Sequence, residues 1–205
     1  MIKLSAFKSV PPFARGLEEA GLDYEQHLLG DGEKDGEDYR AWQPFGQVPA
    51  YDEDGLQLFE SGAIVLHIAE RPEAGETLLP ADPAMRARAI QWVFAALNTI
   101  EPQIQNLAAI DLFYAEEDWA KARRPGAEEM VQKRLADLAA ALGGKDWLAD
   151  GRFTAGDLLM TTVLRILRHT ELVAAEPGLA AYLARCEARP PFGRALAAQM
   201  AAFEP

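Results

Sequence analysis

The chain has 205 residues, 49% of them hydrophobic and 25% charged, with a formal net charge of -12. That composition suits a globular protein with a full core, in one large or two small domains. The acidic balance argues against duplex nucleic acid or an anionic membrane as partner, since both reward a basic surface. A single cysteine, Cys186, excludes an internal disulfide and points to a reducing compartment. Residues 1–5 carry no apolar run of signal-peptide length, and no stretch approaches the roughly 20 apolar residues of a membrane helix. The expected location is therefore cytoplasmic.

Residues 2–7 alternate apolar and polar, with Ile2, Leu4 and Ala6 on one face, and predict a strand. Val10-Pro11-Pro12 breaks it. Residues 13–20 predict a short helix stopped by Gly21, and 24–29 a second strand. Residues 30–38 are polar and Gly-rich, with a single helical turn expected near Tyr39–Trp42. Residues 48–51 and 56–59 flank Asp52-Glu53-Asp54-Gly55, the pattern of a β-hairpin around an Asp-Gly turn. Residues 62–70 carry Ile64, Val65 and Ile68 at helical spacing. The order β-α-β then β-β-α predicts a small four-stranded mixed sheet with helices, a thioredoxin-like arrangement.

Residues 71–83 contain Pro72, Pro80 and Pro83 without apolar periodicity and read as a linker. Beyond them the pattern is helical. Residues 84–98 run without a breaker, and Pro102 should kink or interrupt the helix beyond them. Val131, Leu135, Leu138 and Leu142 form one amphipathic face. Residues 158–167 are apolar on nearly all sides and predict a buried central helix. Residues 179–189 and 193–203 are alanine-rich closing helices. The expected fold class is an α/β domain at 1–77 followed by an all-α domain at 84–205.

Two short runs carry the chemistry. Gln43-Pro44-Phe45-Gly46-Gln47-Val48-Pro49-Ala50 reads as a loop entering a strand, with Pro49 either trans at an edge or cis. Glu60-Ser61 precedes a helix, with Ser61 as N-cap. The free N–H groups and dipole there favour a carboxylate, and Glu60 suits an ammonium. An amino-acid end offers both groups. Taken singly, the runs read as a proline-led strand and an ordinary serine cap.

Together, at this spacing and in this element order, the two runs resemble the glutathione transferase family, bacterial type. The first run is similar to that family's asparagine-proline-x-glycine-lysine-valine-proline pattern, and Glu60-Ser61 to its glutamate-serine pair. The resemblance spans essentially the whole chain. It implies glutathione as co-substrate, a cis Pro49, Val48 on the cysteinyl backbone, Gln47 at the glycyl end, and Glu60 and Ser61 at the γ-glutamyl end. Gln47 replaces the common lysine, so it donates a hydrogen bond without a charge. The resemblance also implies a homodimer and a hydrophobic second substrate beside Trp92, Phe94, Asn98, Glu101, Phe113 and Tyr114. Read alone, those aromatics are core residues, and Asn98 and Glu101 face solvent or a partner.

Thr154-Ala155-Gly156-Asp157 has the spacing of a capping box and reads as structural. Cys186 reads as a structural thiol. His67 and His169 sit among apolar residues and His27 in a strand. No Cys/His cluster has metal-ligand spacing, and no metal is expected.

Transferases of this type stabilise the glutathione thiolate with a donor near the start of the first helix. In residues 7–13, Pro11 and Pro12 have no N–H to give. Ser9 is the only hydroxyl and is the expected catalytic residue. Relatives carry a longer segment where Gly16 here runs directly into Leu17-Glu18-Glu19. About ten residues are thus expected to be absent after Gly16, by deletion or because a stretch was omitted and the rest renumbered.

The leading expectation is a transferase that presents the glutathione thiolate to a hydrophobic electrophile, peroxide or disulfide. A glutathione-dependent isomerase would need arginines near the thiol, and Arg15 is the one nearby candidate. A non-catalytic transferase-like interaction module has no use for the Glu60-Ser61 carboxylate site.

Overall fold

The computed structural model describes residues 1–6, 12–30, 32–149 and 151–201. By compactness the chain forms two units. One is Met1–Leu79 together with Ala188–Pro205, and the other is Pro80–Glu187. The expected division at 1–77 and 84–205 differs from this in the placement of the last helix.

In the first unit, β1 (Ile2–Ala6) pairs in parallel with β2 (Tyr24–Leu28) and antiparallel with β3 (Ala50–Glu53), which pairs antiparallel with β4 (Leu56–Phe59). The sheet order is β2-β1-β3-β4, the thioredoxin-like arrangement. Ile2, Leu4 and Ser5 of the central β1 are buried, whereas β2 alternates half-buried and exposed residues, as an edge strand does. The parallel β1–β2 pair requires a crossover, and α1 (Pro12–Ala20) supplies it. Gly16 and Leu17 are consecutive residues of this unbroken nine-residue helix.

The helix ends because Gly21 N–H donates to Glu18 O and Leu22 N–H to Leu17 O, the two bonds of a Schellman stop. After β2 come a 3₁₀ turn at Glu33–Asp35 and the short α2 (Glu37–Arg40), so the expected helical turn lies slightly earlier than predicted. The β3–β4 hairpin closes on Asp54 and Gly55, both at positive φ (52° and 93°), as a two-residue type I′ turn requires. It leads into α3 (Ser61–Ala69). α3 packs its Val65 and Ile68 against Gly16 of α1.

The second unit begins with α4 (Pro83–Phe94), capped by the Asp82 carboxylate accepting from Met85 N–H at 2.8 Å. A π-helical turn at Ala95–Ile100 joins it to α5 (Glu101–Phe113). Pro102 lacks the N–H that would bond Asn98 O, and its ring crowds that carbonyl. The irregularity therefore falls in the turn before the proline, and the helix widens there and continues. In α6 (Asp118–Leu142), Val131, Leu135, Leu138 and Leu142 are all buried, as their spacing predicts. α7 (Ala155–Leu164) is almost wholly buried and passes close to α4: a Cβ on Gly156 would lie 2.4 Å from Trp92 Cβ. α8 (Pro177–Glu187) completes this unit.

The last helix, α9 (Pro190–Ala201), belongs with the sheet and contacts α1. Arg189 grips Glu19 with two bonds of 2.8 and 2.6 Å, and Arg194 Nε donates to Glu18 at 2.7 Å. The Arg15 guanidinium lies 4.3 Å above the Phe192 ring.

Candidate functional site

The loop from Gln43 to Pro49 is held from within and from α2. Gln43 is buried, and its Oε1 accepts from Phe45 N–H at 2.9 Å while its backbone O accepts from Gly46 N–H at 3.0 Å. Gly46 has φ +59°, and a side chain there would press on Arg40 Nη2 at 2.7 Å and Lys34 O at 3.0 Å. Only glycine meets both demands. Arg40 donates to Pro44 O at 3.3 Å and to Asp35 at 3.0 Å. The buried Tyr39 hydroxyl donates to Gln47 O at 2.7 Å. The Val48–Pro49 peptide is cis, as the resemblance implied. Gln47 is exposed, and Val48 and Pro49 are half-buried, immediately before β3.

β3 begins at Ala50, two residues later than expected, because Pro49 has no N–H to give a ladder. Ala50 pairs with Phe59 in the hairpin register. Pro49 and Glu60, the residues flanking that pair, thus come to the same end of the sheet. The two runs singled out in the sequence are neighbours in space.

The start of α3 differs from expectation by one residue. Ile64 N–H donates to Glu60 O at 3.0 Å, so Glu60 is the N-cap and Ser61 the first helical residue. Glu60 has φ 71° and ψ 117°, a conformation that costs a non-glycine residue about 1–3 kcal/mol. The backbone must leave β4 and enter a helix within one residue, and Glu60 takes that turn. The N–H groups of Ser61, Gly62 and Ala63 precede the first helical bond, so the helix offers them, with its dipole, to an anion.

The other end of α3 is pinned to β3. Glu53 accepts from Tyr51 OH at 2.8 Å and from Arg71 at 2.6 Å, and the His67 ring stands edge-on to Tyr51 at 5.5 Å. Burial pushes the Glu53 carboxyl up, but the bonds from Tyr51 and Arg71 outweigh it and hold the group below its usual 4.5. Burial and the Glu53 charge drive the Tyr51 hydroxyl well above its usual value. This cluster fixes the far end of the helix whose first turn faces the loop.

The family model of the glutathione S-transferase N-terminal domain matches residues 13–70, and that of the C-terminal domain residues 93–190. The glutathione S-transferase GstA of Escherichia coli O157:H7 is 30% identical over 188 residues, covering 89% of this chain and 90% of that one. The chain belongs to the glutathione S-transferase family.

Solved transferase structures agree along nearly the whole length. A glutathione transferase from Burkholderia graminis with two glutathione molecules bound per subunit is 29% identical, with a TM-score of 0.85 over 95% of this chain and 87% of that one. A glutathione transferase family member from Pseudomonas fluorescens pf-5, also with two glutathione bound, is 26% identical, with a TM-score of 0.85 over 95% and 92%.

Within this transferase chain, Ser9 lies outside the described residues. Trp92 is half-buried on α4, while Phe94 and Asn98 are exposed and Glu101 is half-buried in the same unit. Phe113 and Tyr114 are exposed, not core. Asp157 is the buried N3 residue of the α7 capping box, with Thr154 as N-cap, and accepts from the backbone N–H of Thr154 and Leu148 at 2.9 Å each, from Thr154 Oγ1 at 3.0 Å and from Tyr182 OH at 3.0 Å. Burial raises its carboxyl against the pull of those four donors. Cys186 is buried, which pushes its thiol up to about 11 and makes it a poor nucleophile. His27 meets Glu33 at 2.7 Å and His169 meets Asp111 at 3.4 Å, and no group able to hold a metal ion occurs among the described residues. The contribution of Tyr39 escapes sequence reading. Its proximity to the Gly46-x-Val48-Pro49 run was the available signal.

Proposed function

We propose that this chain is a glutathione transferase that lays glutathione along the backbone at Val48, with Gln47 at the glycyl end and Glu60 and Ser61 at the γ-glutamyl end. The observation that carries this reading is the hairpin register. It sets the loop ending at the cis Val48–Pro49 bond beside the first turn of α3. An extended peptide can then take main-chain hydrogen bonds from Val48. The α-carboxylate at its other end meets the open N–H groups of α3, and its ammonium meets Glu60. The N–H groups around Ser61, more than a serine cap, are the anion-binding feature.

Glutathione is the co-substrate. Its thiol, near pKa 8.5 when free, must be held as the thiolate to react at neutral pH. Ser9 is our assignment for the donor, as the one hydroxyl between residues 7 and 13. The thiolate sulfur then bonds an electrophilic carbon as the leaving group departs, or cleaves the O–O bond of a peroxide to give the sulfenic acid and an alkoxide, or the S–S bond of a disulfide to give a mixed disulfide and a thiolate. The proposed second substrate is small and hydrophobic, the proposed assembly a homodimer, and the proposed location the cytoplasm. None of the described helices is long and apolar enough to cross a membrane.

Calorimetric titration with glutathione, paired with a conjugation assay on an aromatic halide and a peroxidase assay, tests the proposal. Saturable heat with either activity is expected. Heat with neither activity leaves a binding protein, and no heat at millimolar glutathione removes the reading.

A further inference from the structure

We propose that Tyr39 is a positioning residue that fixes the orientation of the Gln47–Val48 peptide and thereby sets the affinity for the glutathione backbone. The inference rests on the glutathione reading above and adds a residue outside the two motifs that carry it.

Three observations converge on Tyr39. Its hydroxyl donates to Gln47 O at 2.7 Å, a short bond made from a buried side chain. Its own backbone O accepts from Trp42 N–H at 3.2 Å and Gln43 N–H at 2.9 Å, so both ends of the residue hold the same loop. Its ring stands edge-on to Trp42 at 5.5 Å, packing that a phenylalanine at position 39 would keep.

Peptide geometry carries the effect to the ligand. The Gln47–Val48 unit is planar and trans, so its C=O and N–H point in opposite directions. With Gln47 O drawn toward α2, the Val48 N–H is directed to the opposite side of the strand entrance. A peptide unit that could otherwise rotate is thus held with its donor set before ligand arrives, and the ordering cost on binding falls. Burial, and then the charge of Glu33, pushes the Tyr39 hydroxyl up to about 12, so it stays a donor across the working pH range. Arg40 reaches Pro44 O only at 3.3 Å from an exposed position and is the weaker anchor.

Tyr39→Phe removes the hydroxyl and keeps the ring. The glutathione Kd by calorimetry and the KM for glutathione are expected to rise together by about three- to tenfold, the span of one net hydrogen bond. The kcat at saturating glutathione and the KM for the electrophile should stay within about twofold, since the bond acts on ligand affinity alone. The carbonyl ¹³C resonance of Gln47 should move upfield as its hydrogen bond is lost. Trp42→Phe alters the packing under the ring and leaves the hydroxyl in place, so it should raise KM far less.

Three results overturn the proposal: an unchanged KM with the Gln47 resonance shifted, an unshifted resonance, or an equal rise of KM in Trp42→Phe. Absence of glutathione binding in the unsubstituted protein removes the underlying reading instead, and it is seen before any substitution is made.

Discussion

Asp157 accepts four hydrogen bonds with no exposed surface, and each of its partners would be stranded by its loss. A buried donor left unsatisfied costs about 1–3 kcal/mol. Asp157→Ala strands several and should cost more than about 3 kcal/mol, whereas Tyr182→Phe removes one donor and should cost about 1–2 kcal/mol. Urea unfolding of the two variants checks the order. At the proposed chemical centre, Ser9→Ala should lower kcat/KM for conjugation by about 100-fold, the usual effect of removing one donor to a developing anion. The acid limb of its pH–rate profile should also move up toward the free thiol value near 8.5. An unchanged profile would assign the donor role elsewhere.

At the scale of elements, the Tyr51–Glu53–Arg71 cluster makes an acid-side contribution with a definite sign. The Glu53 carboxyl is held below 4.5 in the folded chain, so the folded state binds fewer protons than the unfolded one. Its contribution is present above pH 4.5 and is lost as pH falls through the lower folded value. The stability difference between the unsubstituted chain and Glu53→Gln should be largest above pH 5 and shrink steadily below 4.5 in denaturant titrations. The crossing of α7 over α4 leaves no room for a methyl group at Gly156. Gly156→Ala should cost about 1–3 kcal/mol through overpacking, despite alanine's better helix propensity, as a lower thermal midpoint will report.

Elements with strong local signals were legible in the sequence. Gly21, the Asp54-Gly55 turn and the Val131-Leu135-Leu138-Leu142 face each act within a few residues, and each appears where its pattern places it. The misplaced boundaries have physical causes. Val48 looks like a strand residue, but Pro49 cannot join a ladder, so β3 starts later. Serine's preference for N-caps drew the start of α3 to Ser61, while the tight exit from β4 placed Glu60 there. The Tyr39–Gln47 bond spans eight residues from a side chain to a backbone oxygen and leaves no periodic trace.

For the whole molecule, the return of residues 188–205 to the sheet unit is the feature that contiguity in sequence could not reveal. Two arginines hold that return. The Glu19 side chain is only 5% exposed beneath Arg189, so removing its partner leaves a nearly buried charge uncompensated. The double variant Arg189→Ala/Arg194→Ala should destabilise the first unit by about 3 kcal/mol. Native-state hydrogen exchange should then quicken at α1 amides and stay unchanged at α6 amides. Equal quickening in both would mean that the units unfold as one.

The same return reverses the order of assembly during synthesis. A chain made from its N-terminus exposes β1 to α3 first, yet α9, which covers α1, is the last of the described elements to be made. All of Pro80–Glu187 must be translated in between, roughly 5 to 20 s at about 5–20 residues per second. The unit that begins first finishes last. On the ribosome, the intervening helices can close their own core while the sheet still waits for its final helix, with Glu18 and Glu19 lacking their arginine partners until Arg189 and Arg194 emerge.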